Sequence, residues 1–229
     1  MDEFASPLHW AIQKGFRIIA FVLIQNGEDT NKLDSNQRSP LDLALERNDL
    51  FVFQALVENQ ADVNFVSVEI GPLLFYAIST YASDDYAKLL IDKGANVNCT
   101  TMWNQTPLQA AAYYGDTDIA KILIHKGASI NAKTNALQTP LLLATAMGHD
   151  EIVEMVFSNG ANVDTKDIYH DQPIHYASNY DNIQCVKILL ECGVNLDAKS
   201  SHGKRPVEEA MGNDSVNCFK VIIFHQFAN

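Results

Sequence analysis

Residues 106–111 read TPLQAA, and residues 139–144 read TPLLLA. Each places a threonine before a proline, an apolar residue directly after it, and an alanine three residues further on. The figure returns as SPLHWA ending at Ala11, SPLDLA at Ala44, PLLFYA at Ala77, QPIHYA at Ala177 and RPVEEA at Ala210. Successive alanines lie 33 residues apart, with one step of 34 between Ala77 and Ala111. Each of the 7 prolines in the chain heads one of these strings. A fixed period of that length signals tandem structural units stacked side by side.

A second punctuation mark follows each string: NGEDTN, NQADVN, KGANVN, KGASIN, NGANVD and CGVNLD. Between the two marks run apolar residues at helical spacing, as in DIAKILIHKG and EIVEMVFSNG. The chemistry of one unit then reads directly. Thr106 or Thr139 caps a helix, its hydroxyl accepting a bond from an orphan backbone N–H. Proline follows at the first helical position, where it has no hydrogen bond to lose. The periodic alanine lets a neighbouring helix approach closely. Gly15, Gly115 and Gly148 separate a short first helix from a second, which ends at Gly27, Gly94, Gly127, Gly160 and Gly193. The asparagines Asn31, Asn64, Asn98 and Asn131 are expected to hold the bend through side-chain to backbone bonds. A polar segment of about ten residues leads to the next proline and suits an extended, hairpin-like connection.

Together these strings, ends and period make the chain similar to the ankyrin repeat over essentially its whole length, in seven copies. The resemblance implies an all-α solenoid: antiparallel helix pairs with projecting β-hairpin-like loops. One domain is expected over 1–229, with repeats near 1–34, 35–67, 68–101, 102–134, 135–167, 168–200 and 201–229. Departures mark where the pattern should loosen. Gln172 and Arg205 replace the capping threonine, so those helix starts should be less well fixed. Pro72 is displaced by one residue, and the third repeat carries an extra residue within STYASDDYAK, so a local distortion is expected there.

Composition narrows the function. With 47% hydrophobic and 19% charged residues, the chain is ordinary globular material. A net charge of −12 repels phosphate backbones and anionic lipid, and favours a basic protein partner. The N-terminal MDEFASPLHW lacks the features of a signal peptide, and runs such as IIAFVLI are too short to span a bilayer. Cys185 and Cys218 share a helical position filled elsewhere by Ile19, Val52, Ile119 and Ile152, so they read as small core hydrophobes. An intracellular, reducing compartment, the cytoplasm, is expected.

No constellation for catalysis stands out. His9 and His175 occupy one repeat position, in PLHWA and PIHYA, and so serve the fold. His125, His149, His170, His202 and His225 form no pair at metal-ligand spacing. The pairs Asp84–Asp85 and Glu208–Glu209 read as solvated surface. There is no glycine-rich phosphate loop, nucleophile elbow or Walker lysine. The chain is therefore read as a non-enzymatic binding module with no cofactor and no small-molecule substrate. The alternative is a targeting or scaffolding segment of a larger protein whose catalytic part lies elsewhere.

The resemblance also implies where a partner would sit. In this family's architecture the hairpin tips and the outer part of each first helix line a concave face. In the fourth repeat those positions hold Met102, Trp103, Gln105, Tyr113 and Tyr114. In the fifth they include Met147, and in the sixth Ile168, Tyr169, Asp171 and Tyr180. The second repeat has Ser35, Asn36, Arg38, Glu46 and Arg47 there, all polar. Tyrosine and tryptophan give large contact area at low entropic cost, and methionine adapts to irregular surfaces. These residues are the expected partner-binding set. Finally, Ile18, Phe21, Phe224 and Phe227 stand at second-helix positions that are polar in other repeats, which suggests that the array continues or that its ends are covered.

Overall fold

The computed structural model describes residues 6–80 and 83–228. Its elements come in helix pairs: α1 (Pro7–Lys14) with α2 (Arg17–Gln25), α3 (Pro40–Glu46) with α4 (Leu50–Glu58), and α5 (Leu73–Ser79) with α6 (Asp84–Asp92). Then follow α7 (Pro107–Tyr114) with α8 (Thr117–His125), and α9 (Pro140–Met147) with α10 (Asp150–Ser158). The last pairs are α11 (Pro173–Asn179) with α12 (Ile183–Glu191), and α13 (Pro206–Gly212) with α14 (Val216–Ala228). The fold is the all-α repeat solenoid that the sequence resembles. The chain divides into two compact units, Met1–Met102 and Trp103–Asn229. In the first, α1 packs on α3, α2 on α4 and α4 on α6. In the second, the first helices stack in the order α7, α9, α11, α13, and the second helices in the order α8, α10, α12, α14. Among the described residues no helix is long and apolar enough to cross a membrane.

The caps form as the strings require. Thr106 Oγ1 accepts the Gln109 N–H at 3.3 Å, and Gln109 Oε1 accepts the Thr106 N–H at 2.8 Å. Ser39 and Asp42 make the same reciprocal pair at 3.1 and 2.8 Å. The periodic alanines from Ala11 to Ala210 are all buried. Cys185 and Cys218 are buried free thiols, pushed up to about 12 by burial, as core hydrophobes should be.

The expected loosening at Gln172 and Arg205 is not what the structure shows. Both keep the extended backbone of a cap, with ψ of 164° and 162°. The residue three positions on closes the turn from the other side. His175 Nδ1 accepts the Gln172 N–H at 3.2 Å, and Glu208 Oε2 accepts the Arg205 N–H at 2.7 Å. The side-chain bond that a capping threonine would supply is absent at both starts. In the third repeat, Pro72 flanks α5 without a side-chain cap and pairs with Val66 in a short antiparallel ribbon, β1 (Val66–Ser67) with β2 (Gly71–Pro72). Thr80 leaves α5 in an extended conformation, ψ 164°. Tyr81 and Ala82, at the extra residue, lie outside the described residues. At the outer positions, Ile18 and Phe224 are 72% and 73% exposed and Phe227 is exposed, while Phe21 is half-buried against Phe51 at a ring separation of 5.4 Å.

Within each compact unit, hydrogen bonds tie neighbouring repeats together. Asn31 Nδ2 donates to Gln60 O at 3.2 Å while its Oδ1 accepts the Asp62 N–H at 2.7 Å. Asn64 grips Gly94 and Asn96 in the same way, and Asn131 grips Gly160 and Asn162. These asparagines thus join neighbours, beyond the local bend expected of them. The third helical residue does likewise. Gln109 Nε2 donates to Ala132 O and, in the next repeat, to Gln138 O at 2.9 and 2.8 Å, whereas His175 Nε2–H donates to Ala198 O within its own repeat at 3.0 Å. His9 Nε2–H reaches Arg38 O at 3.3 Å.

Both imidazoles therefore donate from Nε2 and accept at Nδ1, a pattern only the neutral ring provides. Burial lowers both below the ordinary 6.5. Their stabilising share is whole above about pH 6.5 and is lost as pH falls through the lowered folded values. Asp42, raised to about 6 by burial, works in the opposite sense, so the comparison must be made by substitution.

Two outcomes are expected. Ala144→Leu forces bulk between packed helices and should cost roughly 1–3 kcal/mol in a urea titration. His175→Gln should keep the cap, since Gln109 makes the same bonds, and should flatten the loss of stability between about pH 7 and about pH 5 relative to wild type. Equal acid sensitivity in the two proteins would remove His175 from the account.

Candidate protein-recognition surface

The second compact unit positions two rows of exposed side chains, each held by bonds that cross between repeats. The first row lies on the loop tips. Each tip closes on itself through a backbone bond: Thr134 N–H to Gln138 O at 3.0 Å, Asp167 N–H to Asp171 O at 3.1 Å and Ser200 N–H to Lys204 O at 3.0 Å. Tips are then joined to one another. Asn135 N–H donates to Trp103 O at 3.0 Å, Ile168 N–H to Ala136 O at 3.2 Å, and Ser201 N–H to Tyr169 O at 2.9 Å. This backbone ladder fixes the spacing of Trp103, Ile168 and Tyr169, whose side chains are exposed.

The second row lies at the ends of α7, α9 and α11. Here the residue that opens each second helix braces the first helix of the repeat before it. His149 Nε2–H donates to Tyr113 O at 3.2 Å, and Asn182 Nδ2 donates to Thr145 O at 2.8 Å. Ser215 Oγ–H reaches Asn179 O at 3.2 Å. These bonds satisfy carbonyls that a helix end leaves open. Gly115 is required twice over: its φ is +80°, and a Cβ there would meet the His149 ring at 2.5 Å. The braced ends carry Tyr113, Tyr114, Met147 and Tyr180, all exposed. Tyr113 and Tyr114 meet edge to face at 5.1 Å.

Of the residues singled out in the sequence, Trp103 is 60% exposed and Tyr180 is 56% exposed, so neither plugs the core. Gln105 and Asp171 are half-buried. Met102 is 83% exposed and belongs to the first compact unit. In that first unit the corresponding second-repeat positions are engaged in charge pairing: Arg38 binds Asp34 at 2.8 Å and reaches Glu46 at 3.7 Å.

Two residues of the surface were not picked out by the sequence. Leu137 is 42% exposed at a tip position with φ of +59°, where other repeats place Gln37, Asn104, His170 and Gly203. An apolar side chain alone among polar ones and glycine at a left-handed position was the available signal. The second is Tyr176, which stacks on Tyr180 at 6.4 Å and donates its hydroxyl to Asp167 Oδ2 at 2.7 Å. Its repeat equivalents are Trp10, Leu43, Tyr76, Ala110, Leu143 and Glu209, so the aromatic residues at that position in the first and third repeats were the available signal. Burial and the neighbouring Asp167 carboxylate push the Tyr176 phenol well above its usual range. Asp171 is raised to about 6 by burial, with Asp167 and Glu209 adding like charge.

Comparison with known proteins agrees with this architecture. The family described as ankyrin repeats (3 copies) matches residues 2–67 and 74–167, and an ankyrin repeat matches residues 169–201. A fowlpox virus (strain NVSL) chain described as an ankyrin repeat protein, FPV244, is 30% identical over 96 residues. That match takes in 42% of this chain and 14% of the viral one, so the chain spans well under two thirds of that relative.

A leucine at positive φ costs about 1–2 kcal/mol against an ordinary backbone, and asparagine tolerates the conformation. Leu137→Asn should accordingly raise stability by about 1 kcal/mol in equilibrium denaturation. No gain would mean that Leu137 makes contacts worth as much as the strain.

Proposed function

The chain belongs to the ankyrin-repeat family, and on that premise we propose that the surface of its fourth to sixth repeats holds a protein partner. Ankyrin repeats indicate a protein–protein interaction module that is itself non-catalytic. The finer reading is that the partner, a peptide segment or a folded domain, lies on the concave face against Trp103, Tyr113, Tyr114, Met147, Tyr169 and Tyr180. Met102, Gln105, Ile168 and Asp171 complete the contact set. The carrying observation is that two rows of exposed aromatic side chains sit on backbone fixed by bonds between repeats, so little ordering entropy is lost on binding. A net charge of −12 favours a basic partner, with salt-dependent association. Four free cysteines, two of them core residues, fit a reducing compartment such as the cytoplasm.

The test is capture of partners from the source organism's own lysate by wild type and by Trp103→Ala, side by side. The substitution should leave the thermal unfolding midpoint nearly unchanged and weaken binding of the captured partner by about 2 kcal/mol or more, the scale of an aromatic hot spot. A partner retained equally by the variant, or one whose footprint is confined to the second helices, would overturn the reading.

A further inference from the structure

The chain is strongly acidic, yet its first compact unit gathers cations around one cavity. This cavity, of about 480 Å³, opens between the ends of α1 and α3, which pack on each other, and is lined by Gln13, Lys14, Arg38, Leu43, Glu46 and Arg47. Arg38 is already engaged. Its Nε and Nη2 donate to Asp34 Oδ2 at 3.0 and 2.8 Å, and its Nη1 stands 3.7 Å from Glu46. Asp34 is held in turn by the N–H groups of Asn36 and Arg38, each at 2.9 Å, so this wall of the cavity is fixed.

The other two cations are free. Among the described residues, neither Lys14 nor Arg47 takes part in an ion pair or a side-chain hydrogen bond, and both are exposed. Their place follows from the repeat register. Each comes three residues after a periodic alanine, the position at which the second unit exposes Tyr114, Met147 and Tyr180. The same open position at the end of a first helix is thus filled with positive charge in the first two repeats. An arginine fork and a lysine ammonium on one cavity offer charge-assisted donors to an anion. The carboxylates already present limit how much negative charge can enter. Asp34 and Glu46 lie against Arg38, and Glu69 acts on it without pairing. A singly charged carboxylate matches what remains, whereas a doubly charged phosphate meets more repulsion.

We infer that this cavity receives one carboxylate side chain, an aspartate or glutamate of a protein partner, held by Lys14 and Arg47. The site belongs to the first unit and is independent of the aromatic surface of the second. A net charge of −12 repels a uniformly acidic partner, so the group is a single acidic residue in an otherwise neutral or basic segment. Arg38 stays with Asp34 and shapes the wall of the cavity.

Short random peptides displayed on phage test this, selected on the wild-type protein and counter-selected on a Lys14→Gln, Arg47→Gln double variant. Peptides that the wild type holds and the double variant loses should contain aspartate or glutamate. For one such peptide, each single substitution should lower affinity about tenfold, the scale of one hydrogen bond to a charged group. Changing the peptide's carboxylate to the amide should cost the wild type a similar factor and the double variant almost nothing. Lys93→Gln, at an exposed lysine elsewhere in the unit, should leave affinity unchanged, and every variant should keep the wild-type thermal unfolding midpoint. Selected peptides without an acidic residue, amide peptides that bind as well, or an equal loss with Lys93→Gln overturn the inference. A library with no peptide sensitive to the double variant overturns it too. Tighter binding when phosphoserine replaces the acidic residue overturns the choice of a carboxylate. All of these outcomes leave the aromatic surface standing, since Trp103→Ala tests that separately.

Discussion

The structure depends on how closely the first helices can approach. Within each compact unit the periodic alanine, with a single methyl group, is what the neighbouring helix packs against, and every one of them is buried. Helices of seven or eight residues are too short to persist in water alone. Packing against a neighbour is what makes them stable, and a larger side chain at the alanine would hold that neighbour away. Caps and prolines add definition to the helix starts, but they act on helices that stacking has already stabilised.

Stacking alone would let repeats slide. The cross-repeat hydrogen bonds set the register, and they do so with groups that would otherwise be orphans: helix-end carbonyls, loop N–H groups and the far nitrogens of His9 and Gln109. Each bond therefore serves two needs, satisfying a backbone group and fixing a neighbour. With both needs met from the backbone side, the tips and helix ends can carry exposed side chains. The chain can place Trp103 or Tyr180 there without taking anything out of the core.

The fold was legible because its determinants are local strings repeated at a fixed distance. Proline after threonine, the alanine, and the glycine ending each second helix can each be read within a few residues. What escaped was of two kinds. The partners of Asn31 and Asn131 lie about a full repeat away, so the string NGEDTN or KGASIN shows a bend but not the bond across it. Gln172 and Arg205 looked like broken caps because the cap was judged by one residue, whereas the turn is closed by whichever partner reaches back. At the surface, exposure of the aromatics followed from their repeat positions. Leu137 was hidden because leucine disfavours the conformation it adopts, and Tyr176 because its equivalents, from Trp10 and Tyr76 to Ala110 and Glu209, share no common character.

Leu137 and Asp171 share a property that bears on what the face is for. One holds a left-handed backbone at a tip, the other has a buried carboxylate oxygen without a hydrogen-bond partner, and each feature costs free energy. The second repeat, with the same backbone positions available, places Gln37 at the tip and pairs Arg38 with Asp34. A polar, internally satisfied solution is thus open to this architecture. On the proposed reading of this face, the fifth and sixth repeats depart from it, among exposed aromatics, because a partner supplies the missing contacts.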